Sequence, residues 1–137
     1  MKKIYPILLL LCFGCSKPER TIIKIDLVNN HRTLKIGGVD SVILNDIARS
    51  DSLVWLVLFQ VYKMPKDTDM KSYQDVQPGS YLLKKGEVYF TPDTLFKRGQ
   101  TYFLRYYDNA VGRDVWDYLK NNNHKGAPPY ADYIFTP

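Results

Sequence analysis

Beyond residue 15 the chain contains no cysteine: Cys12 and Cys15 are the only two. Whatever folds behind them has no internal disulfide and no thiolate metal site, and must be held by its core. Histidine is almost as scarce. His31 and His124 lie in separate Asn-rich stretches, in none of the spacings that hold a metal. No GxSxG, P-loop or GxGxxG pattern occurs, and no thiol nucleophile is present after position 15. The expectation is a non-enzyme without metal or cofactor. There is no block of five like charges, so nothing reads as a nucleic-acid or polyanion tail. Lys84-Lys85 and Lys97-Arg98 are short pairs beside Gly86 and Gly99, where solvated turns carry charge. Past the N-terminus no apolar run is long enough to cross a bilayer; Leu53–Val61 is the longest, and Gln60 interrupts it.

The first residues form one apolar segment of a different kind. Lys2 and Lys3 precede Ile7–Phe13. As a helix those residues would span roughly 10 Å, against the ~30 Å of a hydrocarbon core. That is the build of an export signal. Leu11-Cys12-Phe13-Gly14-Cys15 then resembles the lipobox of bacterial lipoproteins. The resemblance implies cleavage after Gly14 and a lipid on Cys15, with palmitate or a similar acyl group, and hence a protein held on its membrane through the N-terminal lipid. Two acyl chains give stable anchoring where one would be marginal. The alternative is an ordinary secretory signal with a chance cysteine. Ser16 stands where an Asp would imply inner-membrane retention in enteric-type bacteria, which points to the outer membrane. The expected division is a signal peptide at 1–14, a lipidated tether at 15–20 and one domain at 21–137. Removing Lys2 and Lys3 with the signal takes the 19 basic residues to 17 against 14 acidic ones, a net of +3.

Within 21–137 the dominant period is two. Ile23, Ile25 and Leu27 alternate with Lys24 and Asp26. Thr33–Ile36 and Ser41–Leu44 are short β-compatible runs about Gly37-Gly38, and Leu53–Tyr62 reads as a central strand buried on both faces. Met64–Gln77 reads as a loop. Ser80–Leu83, Glu87–Thr91, Thr101–Tyr107 and Asp132–Thr136 complete the strands, with Gly79, Gly86, Pro92 and Gly99 as breaks. Val111–Lys120 is the one helical candidate.

Val88–Pro92, Leu95, Gly99, Thr101–Leu104, Asp108, Gly112 and Phe135-Thr136 together resemble bacterial Ig-like domains and the related fibronectin type III modules. The resemblance implies an all-β, Ig-like antiparallel β-sandwich, with a short helix or irregular insert before the last strand. It makes Tyr102 the tyrosine of the corner, its hydroxyl reaching upstream backbone, and Leu95 the plug at one end. Independently of any family, alternation puts Tyr102, Leu104 and Tyr106 on one face of their strand and Phe103, Arg105 and Tyr107 on the other.

The acidic residues give no cation cage. Asp108, Asp114 and Asp117 lack EF-hand spacing, and Asp67, Asp69 and Asp75 alternate with Lys66 and Lys71. Aromatic residues are the binding signal, because Tyr and Trp join stacking area to a polar tip. Tyr107, Trp116, Tyr118 and Tyr130 form the candidate ligand or partner surface, and Asp114–Pro129 is long for a connection between two strands. The competing possibility is that these rings pack the sandwich and its insert. The expected function is a lipid-anchored, non-enzymatic binding or scaffolding module with an envelope protein or glycan partner. The alternatives are a carbohydrate-binding accessory protein or weak glycan hydrolase, and a purely structural subunit.

Overall fold

The computed structural model describes residues 22–50, 53–107 and 130–137. Lys24–Val28 forms β1 and Thr33–Gly37 forms β2. Between them Asn29, Asn30 and His31 take φ of 53°, 53° and 64°, a left-handed region that Asn and His enter more readily than most residues. The Arg32 amide closes the turn on the Val28 and Asn29 carbonyls at 3.2 and 3.3 Å. His31 is thus an exposed turn residue.

Beyond Gly38 the chain departs from expectation. Ser41–Leu44 is not a strand; Ser41–Arg49 is helix α1. The cause is local. The Asp40 carboxylate accepts the Val42 N–H at 2.7 Å, which caps the helix, and Ile43, Leu44 and Ile47 share one buried helical face. The run Leu53–Tyr62 also divides, into helix α2 at Leu53–Leu58 and strand β3 at Phe59–Lys63. Val54 and Leu58, four apart, are buried in α2, while Phe59 and Val61, two apart, are buried in β3. Gln60 seals the junction by donating from its side-chain amide to the Leu56 carbonyl at 3.0 Å, one of the acceptors a helix end leaves open.

Four further strands follow: β4 at Gly79–Lys84, β5 at Glu87–Pro92, β6 at Tyr102–Tyr107 and β7 at Tyr130–Phe135. β4 and β5 are joined through Lys85 and Gly86, both at positive φ (51° and 74°), the requirement of a two-residue type I′ hairpin turn. The strands form two antiparallel sheets, ordered β1-β2-β5-β4 and β3-β6-β7. Lettered A to G along the chain, these are A-B-E-D and C-F-G, the arrangement of a constant-type immunoglobulin sandwich. The fold is therefore an all-β, Ig-like antiparallel sandwich with added helical segments. Those described lie between β2 and β3 and, as a 3₁₀ turn at Thr68–Tyr73, between β3 and β4. Val111–Lys120, the expected helix, lies outside the described residues.

β3 is consequently an edge strand and not a central one. Its free side is partly covered: Val76 bridges Tyr62, and the Gln77 N–H donates to the Val61 carbonyl at 2.7 Å. The central strand of that sheet is β6, buried along five of its six residues.

Between the sheets a continuous set of rings runs through a core otherwise built of Ile, Leu and Val. Phe59 stacks on Tyr106 at 5.2 Å, Tyr81 meets Phe90 at 4.9 Å, and Phe96 meets Tyr102 at 4.9 Å and Phe135 at 5.2 Å. Tyr81 also donates its hydroxyl to the Phe59 carbonyl across the sandwich, and burial raises its phenol pKa well above the ordinary value. The tyrosine corner is present: the Lys97 N–H donates to the Tyr102 hydroxyl at 3.0 Å. Leu95 does not plug the end. It is 54% exposed, and its neighbour Phe96, at 8%, fills that place, because a six-membered ring reaches both Tyr102 and Phe135.

Candidate functional site

Strand register decides what meets on the outer face of the β3-β6-β7 sheet. Tyr62 lies opposite Phe103 and Phe103 opposite Ile134; Gln60 lies opposite Arg105 and Arg105 opposite Asp132; Tyr107 lies opposite Tyr130. Alternation along β6 turns Tyr102, Leu104 and Tyr106 into the core and leaves Phe103, Arg105 and Tyr107 outward. The 3₁₀ turn then lays Lys71 over this face.

At its centre is a three-charge cluster. Arg105 holds Asp132 with two parallel hydrogen bonds, Nε to Oδ1 at 2.8 Å and Nη2 to Oδ2 at 3.0 Å. Lys71 Nζ approaches the same Oδ2 at 2.7 Å. The forked geometry suits guanidinium and could not be matched by an ammonium. Burial pushes the Asp132 carboxyl up, but the hydrogen bonds from Arg105 and Lys71 outweigh it and hold the group below the usual carboxylate range. The bond to Asp132 raises Arg105 in turn.

Aromatic rings enclose the cations. The Arg105 guanidinium lies 3.9 Å from the Tyr130 ring centroid, 5.4 Å from Phe103 and 5.7 Å from Tyr62. Lys71 Nζ sits 4.5 Å over Phe103, which stacks on Tyr62 at 5.0 Å. These are cation–π distances, most effective where water is excluded. Burial, followed by the influence of Tyr107, pushes the Tyr62 phenol up to about 12, so it stays neutral at physiological pH.

Two of the expected surface residues are brought together here. Tyr107 and Tyr130 form a cross-strand pair with ring centroids 5.7 Å apart at 60°. Tyr130 is 42% exposed and Tyr107 half-buried. Trp116, Tyr118, His124 and the segment Asp114–Pro129 lie outside the described residues, as does Cys15. Sequence reasoning did not select Arg105, Asp132 or Lys71. Alternation had already placed Arg105 beside Tyr107, which was the available signal for it. Nothing local ties Lys71 or Asp132 to that row, since both contacts depend on how distant segments pack.

The acidic segment Asp67–Asp75 has a structural use: Asp67 caps the 3₁₀ turn by accepting the Asp69 N–H at 3.0 Å. Among the described residues no three His, Cys, Asp or Glu side chains gather as metal ligands, and no helix is long and apolar enough to cross a membrane. No family model matches the chain, and no curated protein or solved structure matches it either.

Proposed function

We propose that the protein is an envelope lipoprotein, anchored through Cys15, whose sandwich serves as a non-enzymatic binding or scaffolding module. Its contact surface is the Tyr107–Tyr130 corner of the outer β3-β6-β7 face. The observation that carries the binding part is the exposed Tyr130 ring, stacked on a guanidinium that Asp132 holds in place. A ring backed by a fixed cation offers a rigid, amphipathic contact area at low entropic cost, as anchor residues of interfaces do. The anchor part rests on Gly14-Cys15 at the end of the apolar N-terminal run, with the outer membrane as its site.

A second reading, a carbohydrate-binding accessory, draws on the same exposed ring, since sugar faces stack on tyrosine. The hydrolase variant draws nothing from this face. Asp132 is engaged by two cations and kept ionised, which suits positioning and not general acid chemistry.

Pull-down from detergent-solubilised membranes, with oligosaccharide capture in parallel, tests the assignment. Tyr130→Ala should lose capture and, because the ring also stacks on Arg105, melt only a few degrees below the wild type. Undiminished capture by that variant would remove the corner from consideration. Cys15→Ala should lose incorporation of a fatty-acid probe, and equal labelling of both proteins would refute the anchor.

A further inference from the structure

We infer that the end of the sandwich carrying α1 and α2 rests on the membrane surface, with Val42, Leu53 and Leu56 dipping among the lipid headgroups. The inference rests on the Cys15 anchor proposed above and adds an orientation to it.

Topology collects four features at one end. The chain enters beside Gly38, where an added Cβ would strike the Ile22 carbonyl, and Lys24 lies opposite Gly37. α1 and α2 connect the end of β2 to the start of β3. Ile36 lies opposite Val88, and Lys84 opposite Glu87, so the Lys85-Gly86 turn is at the same end. Phe59 lies opposite Tyr106, which brings the Tyr107–Tyr130 pair there as well, on the outer side of the β3-β6-β7 sheet and not in the helices that meet the lipid. Leu95 and Pro137 belong to the opposite end, where the Gly99 N–H donates to the Pro137 carbonyl at 3.1 Å.

The point of chain entry favours the helical end as the one that faces the lipid. Only residues 16–21 separate Cys15 from Ile22. Even fully extended, at ~3.6 Å per residue, that connection reaches about 25 Å. A six-residue strand is itself roughly 20 Å long, so the Leu95 end lies about a strand farther from Ile22, where the tether joins, than the helical end does.

The surface at the near end suits a lipid interface. α1 and α2 bury Ile43, Leu44, Ile47, Val54 and Leu58, yet leave Val42 65%, Leu53 57% and Leu56 41% exposed. Lys24, Arg49, Lys84 and Lys85 are exposed at the same end. Of the acids there, Glu87 is paired with Lys35 at 3.2 Å, which leaves the capping Asp40 and Asp46 as the exposed negative charges among the described residues, two against these four basic side chains. Apolar side chains flanked by basic ones are the pattern of segments that settle about 5–10 Å into the headgroup and acyl boundary, and each basic residue close to an anionic leaflet adds to the attraction.

The test uses the mature full chain, in which Cys12 is removed with the signal and Cys15 is acylated, so an introduced cysteine is the sole free thiol. Val42→Cys, Leu56→Cys and Leu95→Cys each receive an environment-sensitive fluorophore in vesicles containing anionic phospholipid, with a quencher attached to the lipid. All three positions are exposed, so labelling does not disturb the core. Quenching should be several-fold stronger at Val42 and Leu56 than at Leu95. Equal quenching at the three positions, in protein that is acylated and vesicle-bound, overturns the orientation while leaving the anchor intact. Protein that takes no fatty-acid probe and stays off the vesicles overturns the anchor, and the orientation with it.

Discussion

Asp132 shares its carboxylate between Arg105 and Lys71, and this makes the outer face sensitive to acid. In the unfolded chain an aspartate titrates near 3.9; in the folded protein Asp132 titrates below its ordinary value. Its ionised form therefore contributes stability at all pH values above roughly 5, and the contribution is lost as pH falls through the folded value. Asp132→Asn strands a nearly enclosed guanidinium and should cost about 3 kcal/mol at neutral pH. Urea unfolding of the two proteins should show that gap closing as the buffer is made more acid; a gap independent of pH would assign the loss to something other than the ion pair. Tyr102→Phe deletes the acceptor of the Lys97 N–H and should cost on the order of 1 kcal/mol, with partner capture unchanged. Capture lost from that variant would mean that the corner has a contact role. Tyr102 was legible beforehand because its corner is local, a few residues from Gly99. Leu95 against Phe96 was not: the connection between β5 and β6 has no period, and which of two adjacent apolar side chains turns inward depends on the cavity left by Tyr102 and Phe135.

At the level of elements, the strands with alternating or turn-bounded patterns, β1, β2, β4, β5 and β6, could be read from the chain, while the stretch between β2 and β3 could not. Ser41–Leu44 is rich in β-branched and aliphatic residues, and its helix is decided by the Asp40 cap and by Ile47 one turn on. Leu53–Lys63 carries a four-residue spacing and then a two-residue spacing inside one apolar run, which no window separates. The division alters what truncation should do. Phe59 is fully enclosed between the sheets and contacts Tyr106, Tyr81 and Trp55, so Phe59→Ala should cost about 3–5 kcal/mol. Trp55 is half-buried on α2, stacked on Tyr81 at 6.1 Å, and Trp55→Ala should cost clearly less. Chemical denaturation of both variants ranks them; a larger loss for Trp55 would mean that α2 is seated more deeply than its exposure indicates.

For the molecule as a whole, sandwich architecture followed from short strands at regular spacing, but sheet membership did not. The order A-B-E-D and C-F-G is set by pairs such as Leu34 with Phe90 and Val61 with Leu104, contacts between residues far apart in the chain. In sequence, residues 108–129 connect Tyr107 to Tyr130. Tyr107 and Tyr130 pair directly as the last and first residues of β6 and β7, so shortening Asp114–Pro129 should spare the melting temperature. Capture should fall if the segment carries contacts of its own, as long connections on rigid scaffolds do. A deletion that unfolds the sandwich would make the segment structural.

The two ends of the described chain also fix how the sandwich would respond to a pull. Ile22 leaves at the helical end and Pro137 at the opposite one. Tension between an anchored N-terminus and a load at the C-terminus would run along β1 and β7 and not across them. All five β1–β2 pairs and all six β6–β7 pairs would then be strained together, whereas a pull on one corner would open them in sequence. Because β1 and β7 belong to different sheets, the load must also cross the packed interior to pass from one to the other. Forced extension is governed by the rate of unfolding, so a shear-loaded geometry of this kind favours a domain that yields late and all at once.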